Sequence, residues 1–102
     1  MQKQVTDPVF STPAYLWDGT NRLPGILELW NTEVVFRFSG FKSSHLNLVI
    51  PVSSIEKVEE YLIFDLAKNG LKIQSREDKF DLFVMEEVWK FKNSLTKALD
   101  RL

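Results

Sequence analysis

The 102-residue chain has no cysteine, and that absence removes disulfides, thiolate catalysis and cysteine-ligated zinc together. Such a chain fits a reducing compartment. Histidine occurs once, as His45, so an imidazole-based metal site would need its other ligands from scattered carboxylates. Neither charge sign is in excess: 13 Lys and Arg face 14 Asp and Glu, a formal charge of −1. Long-range attraction to nucleic acid or to an anionic membrane therefore cannot come from net charge. No apolar run approaches the roughly 20 residues that a membrane-crossing helix takes. Residues 1–7 are polar and lack the apolar core of a signal peptide, so the expected location is cytoplasmic.

Catalytic signatures are also missing. The chain has no Gly-x-Ser-x-Gly elbow, no Gly-rich phosphate loop and no His-Glu-x-x-His. Its acidic pairs, Glu59-Glu60, Glu77-Asp78 and Glu86-Glu87, are sequence neighbours. Neighbours on a strand point to opposite faces, which suits surface charge better than a general acid/base couple. The expectation is a non-enzymatic protein with no catalytic residues, no metal and no cofactor.

What the chain does have is aromatic mass and a clear order of parts. Eight Phe, three Trp and two Tyr supply one core without help from disulfide or metal. Residues 1–7 read as a lead-in and 8–102 as one domain. From Phe10 to Val84 short extended runs alternate with turn residues. Val34, Phe36 and Phe38 share one face with Arg37 opposite, and Leu46, Leu48 and Ile50 repeat the period of two. Ile55 and Val58 anchor a short segment, and Leu62, Phe64 and Leu66 form the next face. Asn69-Gly70 predicts a type I′ hairpin, which needs positive φ at both central residues. Phe80, Leu82 and Val84 give the inward face of the last strand.

Met85 to Leu102 then switches to helical spacing. Val88, Phe91, Leu95, Leu99 and Leu102 form one stripe, with Lys90, Lys97 and Arg101 opposite and Trp89 beside the stripe at the helix start. Glu86 and Glu87 suit the positive end of the helix dipole, Glu86 can pair with Lys90, and no residue stands out as an N-cap. Seven antiparallel strands with one apolar face must close or pack to hide it. The fold class expected is mainly β: a bent seven-stranded antiparallel barrel or sandwich capped by one C-terminal α-helix.

Several segments resemble the pleckstrin-homology (PH) superfold, and within it the GRAM-like domains. They are Pro24-Gly25-Ile26-Leu27-Glu28-Leu29, Val34-Val35-Phe36-Arg37-Phe38, Ile50 through Val58, Gly70-Leu71-Lys72-Ile73, Phe80-Asp81-Leu82-Phe83, and Trp89 where this superfold usually keeps a helix tryptophan. The resemblance runs from about Ala14 onward and implies a module that binds membranes, phosphoinositides or protein segments. In one respect the chain departs from the lipid-binding subset. The first hairpin loop, Asp18 to Gly25, holds Arg22 as its one cation, whereas clustered cations are what multiply charged phosphates need.

Binding residues are therefore sought in two places. Arg22 is one, and the segment 39–45 is the other, where Phe41 could enter an interface or fold back as a plug while Lys42 meets an anion and His45 stands at the strand edge. The principal expectation is recognition of a protein segment by strand addition beside the helix, as the resemblance implies through its PTB-type relatives. The alternative is weak binding of anionic lipid or phosphoinositide through the 39–45 loop. Lys90, Lys97 and Arg101 read as a solvated face, and no aromatic-interleaved basic patch points to nucleic acid. Trp30, Val35, Val49 and Phe83 fall opposite the principal stripe of their strands. Either bends bury them, or they form a patch for weak self-association.

Overall fold

The computed structural model describes residues 7–18, 21–39, 47–62 and 69–102. Seven strands follow one another: β1 (Phe10–Asp18), β2 (Asn21–Leu29), β3 (Glu33–Phe38), β4 (Asn47–Pro51), β5 (Ile55–Leu62), β6 (Asn69–Ser75) and β7 (Phe80–Met85). A 3-10 turn, Val52–Ser54, joins β4 to β5, and one helix, α1 (Val88–Asp100), follows β7. All pairings are antiparallel and the sheet order is β4-β3-β2-β1-β7-β6-β5. Strand β4 and strand β5 are thus the two edges, and the sheet curls into a half-barrel capped by α1. The expected architecture is the one observed.

The core lies between the concave face and the helix. Leu27 and Leu29 of β2, Val34 and Phe36 of β3, Leu71 and Ile73 of β6, and Phe83 and Met85 of β7 meet Val88, Phe91 and Leu95 of α1 there. The Phe91 ring packs edge-on against Phe10 at 5.9 Å between centroids. Burying each such side chain contributes on the order of 1.5–3 kcal/mol, so the helix is part of the core and not an appendage. The stripe loses its grip toward its end, where Ala98 and Leu99 are half-buried and Leu102 is exposed.

Strand pairing corrects two expectations, and the packing sharpens two more. First, β7 faces the other way. Leu71 of β6 pairs with Phe83 and Asn69 with Met85. Cross-strand partners share a face, so Phe83 and Met85 point inward, while Phe80 is 59% exposed. The strand is apolar on both sides, and period two alone could not choose its phase. Second, Asn69-Gly70 is not the hairpin turn. Both residues belong to β6, opposite Leu62 and Tyr61. Positive φ at two successive residues occurs instead at Glu77 (66°) and Asp78 (60°), in the β6–β7 connection, closed by the Ser75 N–H donating to the Lys79 carbonyl at 2.7 Å.

Third, Trp89 stands beside the stripe as expected, 54% exposed, and Phe91 of the stripe is the helix aromatic in the core. The ion pair at the helix start is Lys90 with Glu87 at 2.9 Å, one residue from the expected Glu86. No side chain caps the helix. Fourth, the four residues opposite the stripes do not form one patch. Val35 and Phe83 are buried and Trp30 is half-buried, leaving Val49 exposed. Phe83 is inside because of the β7 phase. Val35 pairs with Glu28 and Val49. On the same outer side, Glu28 accepts hydrogen bonds from Trp30 Nε1 and Arg37 Nε, both at 2.9 Å, which ties a polar lid across the strand.

Gly25 shows how tightly β2 and β3 approach. A Cβ there would meet the Arg37 carbonyl oxygen and the Phe36 ring. Pro13 has a matching role on β1. The Ser39 N–H donates to the Pro24 carbonyl, so Pro24 and Ile26 bond toward β3, and the alternation of an antiparallel ladder turns Pro13 toward the β7 side. The β1–β7 ladder covers Tyr15, Leu16 and Trp17, and Pro13 lies just beyond it. A residue without an N–H stands where that edge would be open, which is how sheets discourage stray pairing.

Candidate binding sites: an open rim and a free strand edge

The register places several loop ends together. Trp17 pairs with both Arg22 and Leu82, and Gln74 with Phe80. The end of β1, the start of β2, the end of β6 and the start of β7 therefore share one rim of the half-barrel. The end of β3 joins them, since Phe38 pairs with Gly25. Arg22 is exposed on this rim. Phe41, Lys42 and His45 lie outside the described residues.

The β6–β7 turn adds Arg76 and Lys79, which the sequence reading did not single out. Both line a cleft of about 340 Å³ between β4 and that turn, together with Glu77, Asp81 and Val49. Arg76 is already engaged: its backbone N–H donates to the Ser54 carbonyl at 3.1 Å and its Nη2 to the Ser53 carbonyl at 3.4 Å. Burial raises the Asp81 carboxyl above its ordinary range, and the Lys79 ammonium works against that shift. Cations and carboxylates thus alternate along the cleft. Two buried polar atoms near the rim, Trp17 Nε1 and Asn47 Oδ1, have no hydrogen-bond partner among the described residues. No spacing in the sequence could reveal either. Among the described residues, no three His, Cys, Asp or Glu side chains group as a metal site.

The second site is the β5 edge. Strand β5 pairs with β6 on one side and ends the sheet on the other. Its register shifts between Ile55 and Lys57, a bulge that twists the edge. Val58 is half-buried against the core, while Glu56, Lys57 and Glu60 are exposed. The helix runs alongside, tied by Lys92 to Glu60 at 3.6 Å. On the convex face, Lys72 sits 4.6 Å over the Phe80 ring and 5.8 Å from Tyr61, so the outward side of β5–β7 is aromatic as well as charged.

These features define a PH-like fold: a curled antiparallel sheet of seven strands, a free β5 edge and a terminal helix closing the end opposite the loop rim. Solved structures agree. The chain is similar to the N-terminal PH domain of Vps36, at 14% identity and TM-score 0.74, over 93% of this chain and 80% of that one. It is also similar to the C-terminal domain of an unknown protein from Leishmania infantum, at 11% identity and TM-score 0.76, over 90% of this chain and 83% of that one. No protein-family model matches the sequence, and no curated protein matches it. At these identities the likeness is one of fold.

Proposed function

We propose that this PH-like module is a non-enzymatic cytoplasmic binding or scaffold domain, spanning 8–102 and GRAM-like in its sequence features, that recognises an extended protein segment. The observation that carries the reading is the free edge of β5 beside α1. An eight-residue strand with one open side offers backbone donors and acceptors to an incoming strand, and the adjoining helix supplies a wall for its side chains. Glu59 and Glu60 are paired with Lys57 and Lys92, so Glu56 is the carboxylate left at this edge to meet a Lys or Arg of the incoming segment. The bulge and the charges restrain indiscriminate pairing, as a selective edge requires.

A second reading is supported by the rim. Arg22, Arg76 and Lys79 lie at the same end of the sheet, and Phe41, Lys42 and His45 fall in the sequence between β3 and β4. That arrangement favours weak attachment to anionic lipid. One experiment separates the readings. Peptides are selected from a random library and mapped by amide chemical shifts, in parallel with vesicles containing phosphatidylserine. Shifts along Ile55–Leu62 and α1 with basic peptides support the protein segment. Shifts confined to the rim, seen with vesicles and abolished by salt, would replace it with the membrane reading.

A further inference from the structure

On the flank of α1 away from Lys92 and β5, the helix and the β2–β3 turn enclose a pocket of about 260 Å³. Its accessible apolar lining is Val9 and Ala98, over the buried Leu29. Its polar lining is Trp30, Asn31, Ser94, Lys97 and Arg101, two cations with no carboxylate among the described lining residues. Neither cation has an ion-pair partner among the described residues, whereas Lys90 and Lys92 of the same helix are both paired. Lys97 and Arg101 are one turn apart, so their like charges face each other across the pocket mouth. Cations at a helix C-terminus complement the dipole, which accounts for their sign. It does not account for a cavity lined as well by Trp30, Asn31 and Ser94.

We infer that this pocket binds a small anion, a carboxylate or phosphate monoester, carried on a compact planar apolar body. Lys97 and Arg101 supply charge, and the guanidinium fork matches a planar carboxylate or a phosphate edge-on. The Ser94 hydroxyl and the Asn31 amide add neutral donors. Trp30 is held by its Nε1–H bond to Glu28 at 2.9 Å, so its ring is already positioned when the ligand arrives. The pocket is slightly smaller than typical ligand sites of roughly 300–1,000 Å³, which limits the body to about one ring. It is separate from the loop rim and from the β5 edge, and stands or falls apart from either.

The test is an amide and side-chain shift titration of the intact chain with phenyl phosphate, benzoate and inorganic phosphate. The expected result is saturable movement of the Trp30 indole and Arg101 Nε–H signals, with a Kd near about 1 mM for the aromatic anions. Inorganic phosphate should bind at least tenfold more weakly, which assigns a share of the affinity to the apolar lining. Lys97→Gln with Arg101→Gln should remove the saturation. Both side chains are exposed, and an unchanged circular dichroism spectrum verifies that the fold is kept. Linear, unsaturated shifts, equal movement in the double variant, or saturation only at Arg22 and Arg76 would each overturn the assignment.

Discussion

Replacing Phe91 by alanine, with Trp89→Ala as its pair, tests the central claim about the helix. Phe91 has no exposed surface, packs edge-on against Phe10, and sits among β2, β6 and β7 side chains. Truncation opens a cavity that the curled sheet cannot collapse to fill, because the sheet is hydrogen-bonded from β4 to β5. The expected loss is about 3–5 kcal/mol, the range for a buried Phe→Ala change. A domain of this size has only about 5–15 kcal/mol of stability, so the variant retains about half and in the poorer case unfolds near body temperature. At roughly 4–8 °C per kcal/mol, the midpoint should fall by at least 12 °C. Trp89→Ala removes a larger side chain, yet one that is 54% exposed and touches Lys90 from the outside, with the ammonium 5.6 Å from the ring centroid. Its cost should stay near about 0.5 kcal/mol. Urea titrations followed by far-ultraviolet circular dichroism measure both without relying on tryptophan fluorescence. Equal losses for the two variants, or a larger loss for Trp89→Ala, would refute the placement of the helix.

Three further outcomes are expected. Gly25→Ala should destabilise by about 1–3 kcal/mol through collision with the Arg37 carbonyl and the Phe36 ring, seen as a lower denaturation midpoint. Glu77→Asn with Asp78→Gly should raise stability by about 1 kcal/mol, since both positions hold positive φ that Glu tolerates poorly and Gly adopts more readily than Asp; an unchanged urea midpoint would show that the turn is not type I′. Asp81 has a folded pKa raised above its ordinary 3.8, so the native state holds the proton more tightly and stability falls as pH rises from the unfolded value through the folded one. Asp81→Asn should therefore be more stable than the native chain at pH 7, and thermal melts should show the gap closing below about pH 4.

The parts of this fold that could be read from the sequence are those where one signal stands alone. Strand β3 alternates around Arg37, the helix stripe at Val88, Phe91 and Leu95 has one apolar face, and the change from period two to helical spacing marks the junction after Met85. Failures occurred where two signals competed. Strand β7 is apolar at Phe80, Leu82, Phe83 and Val84, so its phase is set by its register with β6, which is information held in the preceding strand and not within β7 itself. Asn69-Gly70 is a strong turn dipeptide, but the pairing of Tyr61 with Gly70 continues the ladder past it, while the true turn uses Glu77 and Asp78, of which Asp alone is a common turn residue. Phe91 in the stripe and Trp89 beside it were legible from the helical spacing, since position on the helix decides burial. The candidate sites were less legible still. Arg22 was found because it is the lone cation of its loop, whereas Arg76, Lys79 and the Lys97–Arg101 pocket become visible only when the sheet brings distant segments together.

The short ladder between β1 and β7 has a consequence for how the chain reaches this structure. Every other strand pairs with a sequence neighbour, so β1 to β4 can form one run of hairpins and β5 to β7 another. Tyr15, Leu16 and Trp17 meet Val84, Phe83 and Leu82 from the far end of the chain, and that contact alone stitches the two runs into one sheet. Closing so long a loop is entropically costly and is rewarded only once the helix can dock on the joined surface. The seam, not the hairpins, should therefore set the rate of folding: truncating Leu16 or Phe83 should slow the refolding arm of a chevron, while changes in the hairpin turns should mainly quicken unfolding.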